Sequence, residues 1–336
     1  MASSRSIADG EGATVSPLQA LLARLRPVLP EVVVTLLLLL AFPFGSLLSP
    51  YFLETEFLFR EALLYMEIGI LALASTLVII SGNLDLSVAS AMAMVACVTA
   101  YAHAEGGLSM ELSLALGLAL GAFAGLFNGF FIAILGLPSL TVTLATLALY
   151  RGIAQVLVGD HSIQEFPEWF LGIDKVVIPG TPIPAPFVIF LGLALVLALF
   201  LARSVWGRWI YALGTNEQAA AFAGVPTRRI KLLLFTLSGF LAGVAGLMLD
   251  SRLLVARYDH ARGWELEAIT AVVLGGTSIA GGRGTIYGTV VALLLISALR
   301  TGLGVANVKV ESQLAITGTL LVVAVIVSNA LARRRK

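Results

Sequence analysis

Long blocks of apolar residues, separated by short polar or glycine-rich stretches, run through most of this 336-residue sequence. A helix needs roughly 20 mainly apolar residues to cross the hydrocarbon core of a bilayer. Blocks of about this length recur along the chain, and we predict ten membrane-spanning helices. Their bounds are about 28–48, 62–80, 86–102, 111–135, 139–158, 186–202, 231–250, 267–281, 285–300 and 313–331.

Composition supports a membrane protein, since 59% of the residues are hydrophobic and only 12% are charged. A soluble domain carries about 25% charged residues. The predicted fold class is therefore an all-α polytopic membrane protein. We expect a cytoplasmic N-terminal segment over 1–27, a single transmembrane domain over 28–331 and a basic cytoplasmic tail over 332–336. The net charge of +1 gives no reason to expect a nucleic-acid partner, and the three histidines lack metal-ligand spacing.

The distribution of lysine and arginine predicts the orientation in the membrane. With ten spans, both termini share a side with the basic loop at about 203–230, so we expect both termini to be cytoplasmic. On the outer side, the loop at about 159–185 contains four prolines and is expected to form one short helix over 165–171. Two halves of five spans would have inverted orientations, with the glycine hairpins near 81–90 and 275–288 at comparable positions.

Polar residues inside apolar blocks are costly in lipid and are therefore candidate functional residues. The candidates for a translocation path or gate are Asp85, Ser87, Asn128, Thr143, Thr146 and Arg151. Asp85 and Ser87 either line a path or cap the third span, and we favour the cap. The hydroxyls of the fifth span either line a polar path or bond to their own helix. Arg151 needs a carboxylate or carbonyl partner, or must extend to the interface.

The loop near residue 220 predicts a short alanine-rich helix. Thr215 or Asn216 can cap it, Glu217 lies in its first turn, and Gly224 with Pro226 ends it. So short an exposed helix has little stability of its own, which favours a groove on a partner protein over an ordinary loop. The glycine-rich run at 275–285 lacks the Gly-Lys-Ser/Thr ending of a phosphate loop. If ATP drives this protein, another subunit must bind it.

Several motifs together resemble the permeases of ribose-type sugar ABC importers, a group that includes xylose, rhamnose and autoinducer-2 permeases. They run in the family's order from about 62 to 305. The matching stretches are Ser81–Val88, Val142–Thr146 with Tyr150–Gly152, Ala212–Gly224, Leu237–Gly239 with Ala242–Gly243, and Trp264–Glu267 leading to Gly275–Gly284. Asn83 and Ala89 depart from the pattern, because the family usually has glycine at both places. Branched-chain amino acid permeases share the larger group but fit these motifs less well.

The resemblance implies ten spans, a second permease that is identical or paralogous, cytoplasmic subunits that bind ATP and Mg, and a periplasmic sugar-binding protein. It also implies that the short loop helix is the coupling helix that seats in the ATPase. The residues assigned to it are Asn216, Glu217, Ala219, Ala220, Gly224, Arg228 and Arg229. Arg252, Arg257 and Arg262, which we expect on the outer face, are candidates for docking the binding protein.

The sequence therefore predicts a permease subunit of the bacterial inner membrane that moves a monosaccharide, such as a pentose or a deoxyhexose like rhamnose, by alternating access. The chain is expected to hold no cofactor and to be no enzyme. An autoinducer-2 or branched-chain amino acid permease is an alternative. A secondary transporter would need ion-coupling carboxylates within the bundle, and only Asp85 comes near that description.

Overall fold

The computed structural model describes residues 29–48 and 52–309 and, between 311 and 319, all but 314 and 317. The predicted segment 1–27, most of the tenth span and the tail 332–336 lie outside the described residues. Within them the chain is helical, and the only β-structure is two isolated bridges. The α-helices with assigned bounds are α1 Leu29–Leu48, α2 Thr55–Leu63, α3 Met66–Ile80, α4 Val88–Ala104, α5 Met110–Ala133, α6 Ser139–Val158, α7 Ala185–Arg203, α8 Val205–Thr215, α9 Glu217–Phe222, α10 Thr227–Leu253, α11 Trp264–Leu274 and α12 Ile286–Val305.

Six of these helices are long and apolar enough to cross a membrane, namely α1, α5, α6, α7, α10 and α12. A seventh span results if α2 and α3 are counted together, although the two helices meet at a 60° bend. The all-α membrane fold is thus confirmed, whereas the count of ten and the orientation remain predictions. Two predicted segments differ from the structure. The eighth span, placed at 267–281, is the short helix α11 that ends at Leu274, and 165–171 contains turns instead of a helix.

The centre of the bundle is α3, in which all 15 residues are buried. Helices that are apolar on every side suit such a position. Around it, α10 packs against α3, α4 and α5, α6 packs against α4, and α1 packs against α12. Glycines allow the closest approach, since a Cβ added at Gly121 of α5 would lie 2.6 Å from the carbonyl oxygen of Gly239 in α10. Close backbone contact of this kind is typical of helices in lipid.

Two glycine turns end helices in the middle of the molecule. Gly82 follows α3 at φ +80°, and Gly276 follows α11 at φ +91°. Both helices end with the same pair of backbone hydrogen bonds. The N–H of each glycine donates to the carbonyl three residues earlier, and the N–H of the next residue donates to the carbonyl five residues before it. The two loops touch, because Gly282 donates its N–H to the carbonyl of Ile80 at 2.8 Å.

The starts of α3 and α11 also lie together. The guanidinium of Arg300 bonds Glu267 of α11 at 2.9 Å and lies 5.9 Å over the ring of Tyr65, the residue before α3. Helices that begin together and end together run in the same direction. Inverted equivalents would run in opposite directions, so these two hairpins do not fit the inverted repeat predicted for them.

Candidate functional site

A buried polar network surrounds Asp85, between the end of α3 and the start of α4. Asp85 is only 4% exposed. Its Oδ1 accepts from the backbone N–H of Ser87 at 3.0 Å and from the Ser87 hydroxyl at 2.6 Å, and its Oδ2 accepts from the Ser238 hydroxyl of α10 at 2.8 Å. The carboxylate therefore fixes the turn before α4 and joins it to α10. The favoured cap is not formed as predicted, because Ser87 occupies the N-cap position of α4 without a side-chain cap bond.

The network continues into α5 and α6. The side-chain amide of Asn128 donates to the Ser87 hydroxyl at 2.8 Å. The Tyr150 hydroxyl donates to the carbonyl of Ala124 at 2.8 Å and lies 3.1 Å from the Asn128 side-chain oxygen. Each of these polar side chains therefore has a hydrogen-bond partner within the protein. Sequence reasoning named Asp85, Ser87 and Asn128 but missed Tyr150 and Ser238, although both stand inside the motifs quoted above.

The hydroxyls of α6 bond back to their own helix. Thr143 donates to the carbonyl of Ser139 at 2.9 Å, and Thr146 donates to that of Val142 at 3.1 Å. The Ser139 hydroxyl accepts from the backbone N–H of Leu84 at 3.1 Å, which attaches the start of α6 to the hairpin that contains Asp85. Of the two uses that the sequence left open for Thr143 and Thr146, the geometry supports the bond to their own helix.

Arg151 has the carbonyl partners that its position demands. Its guanidinium donates to the carbonyls of Tyr258 and His260 at 2.5 and 2.7 Å. Both acceptors belong to the loop between α10 and α11. Arg151 thus fixes this loop against α6.

The three arginines predicted for docking differ in their surroundings. Arg252, in the last turn of α10, forms an ion pair at 2.8 Å with Glu67 of α3, which is buried. Arg257 pairs with Asp259 at 2.8 Å, and this neighbouring guanidinium holds the pKa of Asp259 down at about 2. Arg262 is exposed and stacks over the ring of Tyr258. Arg252 is consequently a structural residue, and only Arg257 and Arg262 remain suitable for contact with a partner.

The predicted loop helix exists as α9, shorter by two residues than expected. The Asn216 side chain caps it by accepting from the N–H of Ala219 at 2.9 Å, and Glu217 pairs with Lys231 of α10 at 2.6 Å. Gly224 follows the helix at φ +82°. Ala219, Arg228 and Arg229 are exposed.

Two residues of α9 change the picture of its exposed face. Ala220 is 5% exposed, so it packs against this chain and offers no surface to a partner. Phe222 is 93% exposed, which makes it the most exposed large apolar side chain among the described residues. Sequence reasoning included Ala220 among the residues of the coupling helix and did not single out Phe222.

A cavity of about 720 Å³ lies beside α9. Its wall includes Glu217 and Lys231 on one side and Gly82, Asn83 and Ser139 on the other. Gly214, in the last turn of α8, packs directly on the ends of both glycine loops, at the carbonyl of Ile80 and the N–H of Gly282. The end of the bundle that carries α9 is therefore in contact with the hairpin of Asp85.

Similarity to known proteins identifies the family. Residues 57–325 match the family described as branched-chain amino acid transport system / permease component. The chain belongs to this family. The ribose import permease protein RbsC of Bacillus subtilis is 34% identical over 294 residues, which cover 84% of this chain and 88% of that protein. The autoinducer 2 import system permease protein LsrD of Photorhabdus luminescens is 34% identical over 78% of this chain and 80% of its own length.

The LsrD protein of Escherichia coli is 33% identical, over 84% of this chain and 86% of that protein. No solved structure shows significant similarity. The family and the apolar helices together identify a multi-pass protein of the bacterial inner membrane. Within the described residues, no group of three or more His, Cys, Asp or Glu side chains could hold a metal ion.

Proposed function

We propose that this chain is one of two permease subunits in an ATP-driven importer and that its cargo is a monosaccharide, such as a pentose or a deoxyhexose. Its relatives support this proposal, because they include a ribose permease and several autoinducer-2 permeases. The autoinducer-2 relatives cover the chain about as well as the ribose relative does. Import of that signal molecule is therefore the second candidate function.

The observation that carries the proposal is the exposed Phe222 on α9. A six-residue helix gains little stability from its own hydrogen bonds. A large aromatic side chain that is almost fully exposed at a protein surface is typical of a contact residue for a partner. We infer that Phe222 inserts into an apolar pocket of a cytoplasmic ATP-binding subunit, with Asn216 and Glu217 fixing the orientation of the helix.

The contacts behind α9 supply a route from this surface to the spans. Movement of α9 and α8 acts on Gly214, which touches the ends of both glycine loops. From the first loop, Asp85 is bonded to α4 and α10, and Ser87 connects it to Asn128 of α5. A displacement at α9 therefore reaches three spans through packed backbone and buried hydrogen bonds, with no covalent step in this chain.

At the opposite end of the bundle, Arg257 and Arg262 are the proposed contacts for a periplasmic binding protein. Both belong to the loop that Arg151 holds in place through two carbonyls. A loop fixed in this way presents its charges in a defined position, which favours specific recognition of acidic residues.

Uptake by the complete transporter tests the function. The chain is co-expressed with an ATP-binding subunit, a second permease and a binding protein from the same organism, and the complex is reconstituted in vesicles. Uptake of radiolabelled D-ribose, D-xylose, L-rhamnose and autoinducer-2 is measured with and without ATP and with an uncoupler. We expect uptake of one of these solutes that needs ATP and resists the uncoupler. Uptake that continues without ATP and is abolished by the uncoupler would instead indicate a secondary transporter.

A further inference from the structure

Some polar groups deep in the bundle have no partner. Among the described residues, eight buried side-chain N or O atoms lack a hydrogen bond, and five of them lie on α3, α4, α5 and α10. They are the hydroxyls of Ser75, Thr99 and Ser113 and both carboxylate oxygens of Asp250. Asp250 is 1% exposed. An unpaired carboxylate in such surroundings is far more costly than an unpaired hydroxyl.

These groups contrast with other hydroxyls of the same helices. Thr76 of α3 and Thr236 of α10 donate to carbonyls of their own helix at 2.7 and 2.8 Å. This return bond is the usual way for a hydroxyl to be satisfied in lipid. Thr99 and Ser113 do not form it. Their hydroxyls are therefore available to bond a solute that enters when the helices separate.

The unpartnered groups belong to helices that meet. Thr99 lies against Gly117 of α5, and Gly117 in turn faces Gly243 of α10. Asp250 follows two helical turns later on α10, whose Gly246 packs against the backbone of Met92 in α4. The set occupies the half of the bundle opposite to α9, because Asp250 stands just before the end of α10 that holds Arg252.

The residues first predicted for a path are by contrast already satisfied. Asp85, Ser87 and Asn128 bond one another and their neighbours, Thr143 and Thr146 bond their own helix, and Arg151 bonds two carbonyls. A solute would have to break these contacts in order to use the groups. Asp250, Thr99 and Ser113 can bond a solute without first breaking a hydrogen bond within the protein.

The chemistry of the set suits a polyol. The Asp250 side chain has two free oxygens that can accept hydrogen bonds from adjacent hydroxyls, and as a buried acid without a charged partner it can also donate one. Each protein hydroxyl both donates and accepts. We propose that Asp250, with Thr99 and Ser113, binds the hydroxyls of a monosaccharide as it passes between α4, α5 and α10 during transport. This inference rests on the proposed function. It requires these helices to separate during the cycle far enough to admit the solute.

Asp250→Asn and Thr99→Val test the inference in the reconstituted transporter, with the solute that the wild-type protein imports from the panel above. We expect uptake at a saturating concentration of loaded binding protein to fall about tenfold in Asp250→Asn, the effect of losing one hydrogen bond to the sugar. ATP hydrolysis stimulated by the binding protein should stay within about twofold of the wild type, because the route from α9 is intact. Thr99→Val should not melt at a lower temperature, since it removes an unsatisfied hydroxyl. Asp250→Asn should not either, since it replaces a buried carboxyl group that has no partner with a neutral amide of the same size.

Thr76→Val is the matched control. Its hydroxyl bonds Ala72 and Thr289 in this structure, so its loss should lower the melting temperature while uptake per folded molecule is retained. Normal uptake by both Asp250→Asn and Thr99→Val would overturn the inference and leave the proposed function standing.

A labelling experiment decides the inference without reference to the cargo. In a Cys97→Ser background, Thr99→Cys is treated with a charged methanethiosulfonate reagent, with the complete transporter at rest and while it hydrolyses ATP. We expect labelling that is slow at rest and at least about tenfold faster during hydrolysis, because a residue of an opening path meets water. Equal labelling in the two conditions would refute the inference. If Thr99→Cys is labelled during hydrolysis but no sugar is imported, the path stands and the sugar assignment fails.

Discussion

The close contact between α5 and α10 makes Gly121→Ala an informative perturbation. A Cβ at Gly121 would lie 2.6 Å from the carbonyl oxygen of Gly239 and 3.3 Å from the Cα of Gly243. A carbon and an oxygen normally approach no closer than about 3.3 Å. The helices must therefore separate by about 0.7 Å along this contact, which also weakens the dispersion attraction between their backbones.

The expected cost is about 1–3 kcal/mol, the usual range for an overpacked interior. Alanine is also a better helix former than glycine by roughly 1 kcal/mol, which partly hides this cost. Gly192→Ala measures this gain in helix propensity without a steric cost, since Gly192 lies within α7 and no atom stands within 4 Å of its added Cβ. The difference between the two variants isolates the steric term.

Thermal unfolding of the purified protein in detergent measures this difference. Gly121→Ala should melt below Gly192→Ala by about 2–4 °C for each kcal/mol of steric cost. Gly125→Ala should be worse than Gly121→Ala, because the position of its Cβ is still closer to a carbonyl, that of Phe235. Equal melting temperatures for Gly121→Ala and Gly192→Ala would mean that α5 and α10 do not pack as described.

Two further variants test the buried contacts. Tyr150→Phe removes the donor that serves Ala124 and Asn128, so it should destabilise the protein by about 1–3 kcal/mol, and an unchanged melting temperature would remove Tyr150 from the network. Arg151→Leu frees the carbonyls of Tyr258 and His260, so proteolysis between α10 and α11 should accelerate, and cleavage at the wild-type rate would show that Arg151 does not hold this loop.

Long apolar segments were predictable because length and hydropathy define them. The predicted spans 139–158 and 186–202 agree with α6 and α7 to within one residue at each end. The prediction failed where glycine conformation overrides hydropathy. The predicted span continues to 281, yet α11 ends at Leu274, because Gly276 takes a left-handed turn. The bend before α3 was not predicted, because nearly all of α2 lies before residue 62, where the predicted second span begins.

The candidate site was predictable in its local parts only. The cap at Asn216 depends on neighbours in sequence and was foreseen. The burial of Ala220 and exposure of Phe222 were not, because a helix of six residues is too short to show a periodic pattern. The bond from Ser238 to Asp85 joins residues 153 positions apart, which no local pattern reveals.

The most direct test of the account is contact between α9 and the ATP-binding subunit in living cells. A photo-activated cross-linking amino acid is placed at Phe222 and, as a control, at Val156, which is 86% exposed and lies in the last turn of α6. The account predicts that position 222 captures the ATP-binding subunit and that position 156 does not. Absence of the subunit at position 222, or equal capture at both positions, would contradict it.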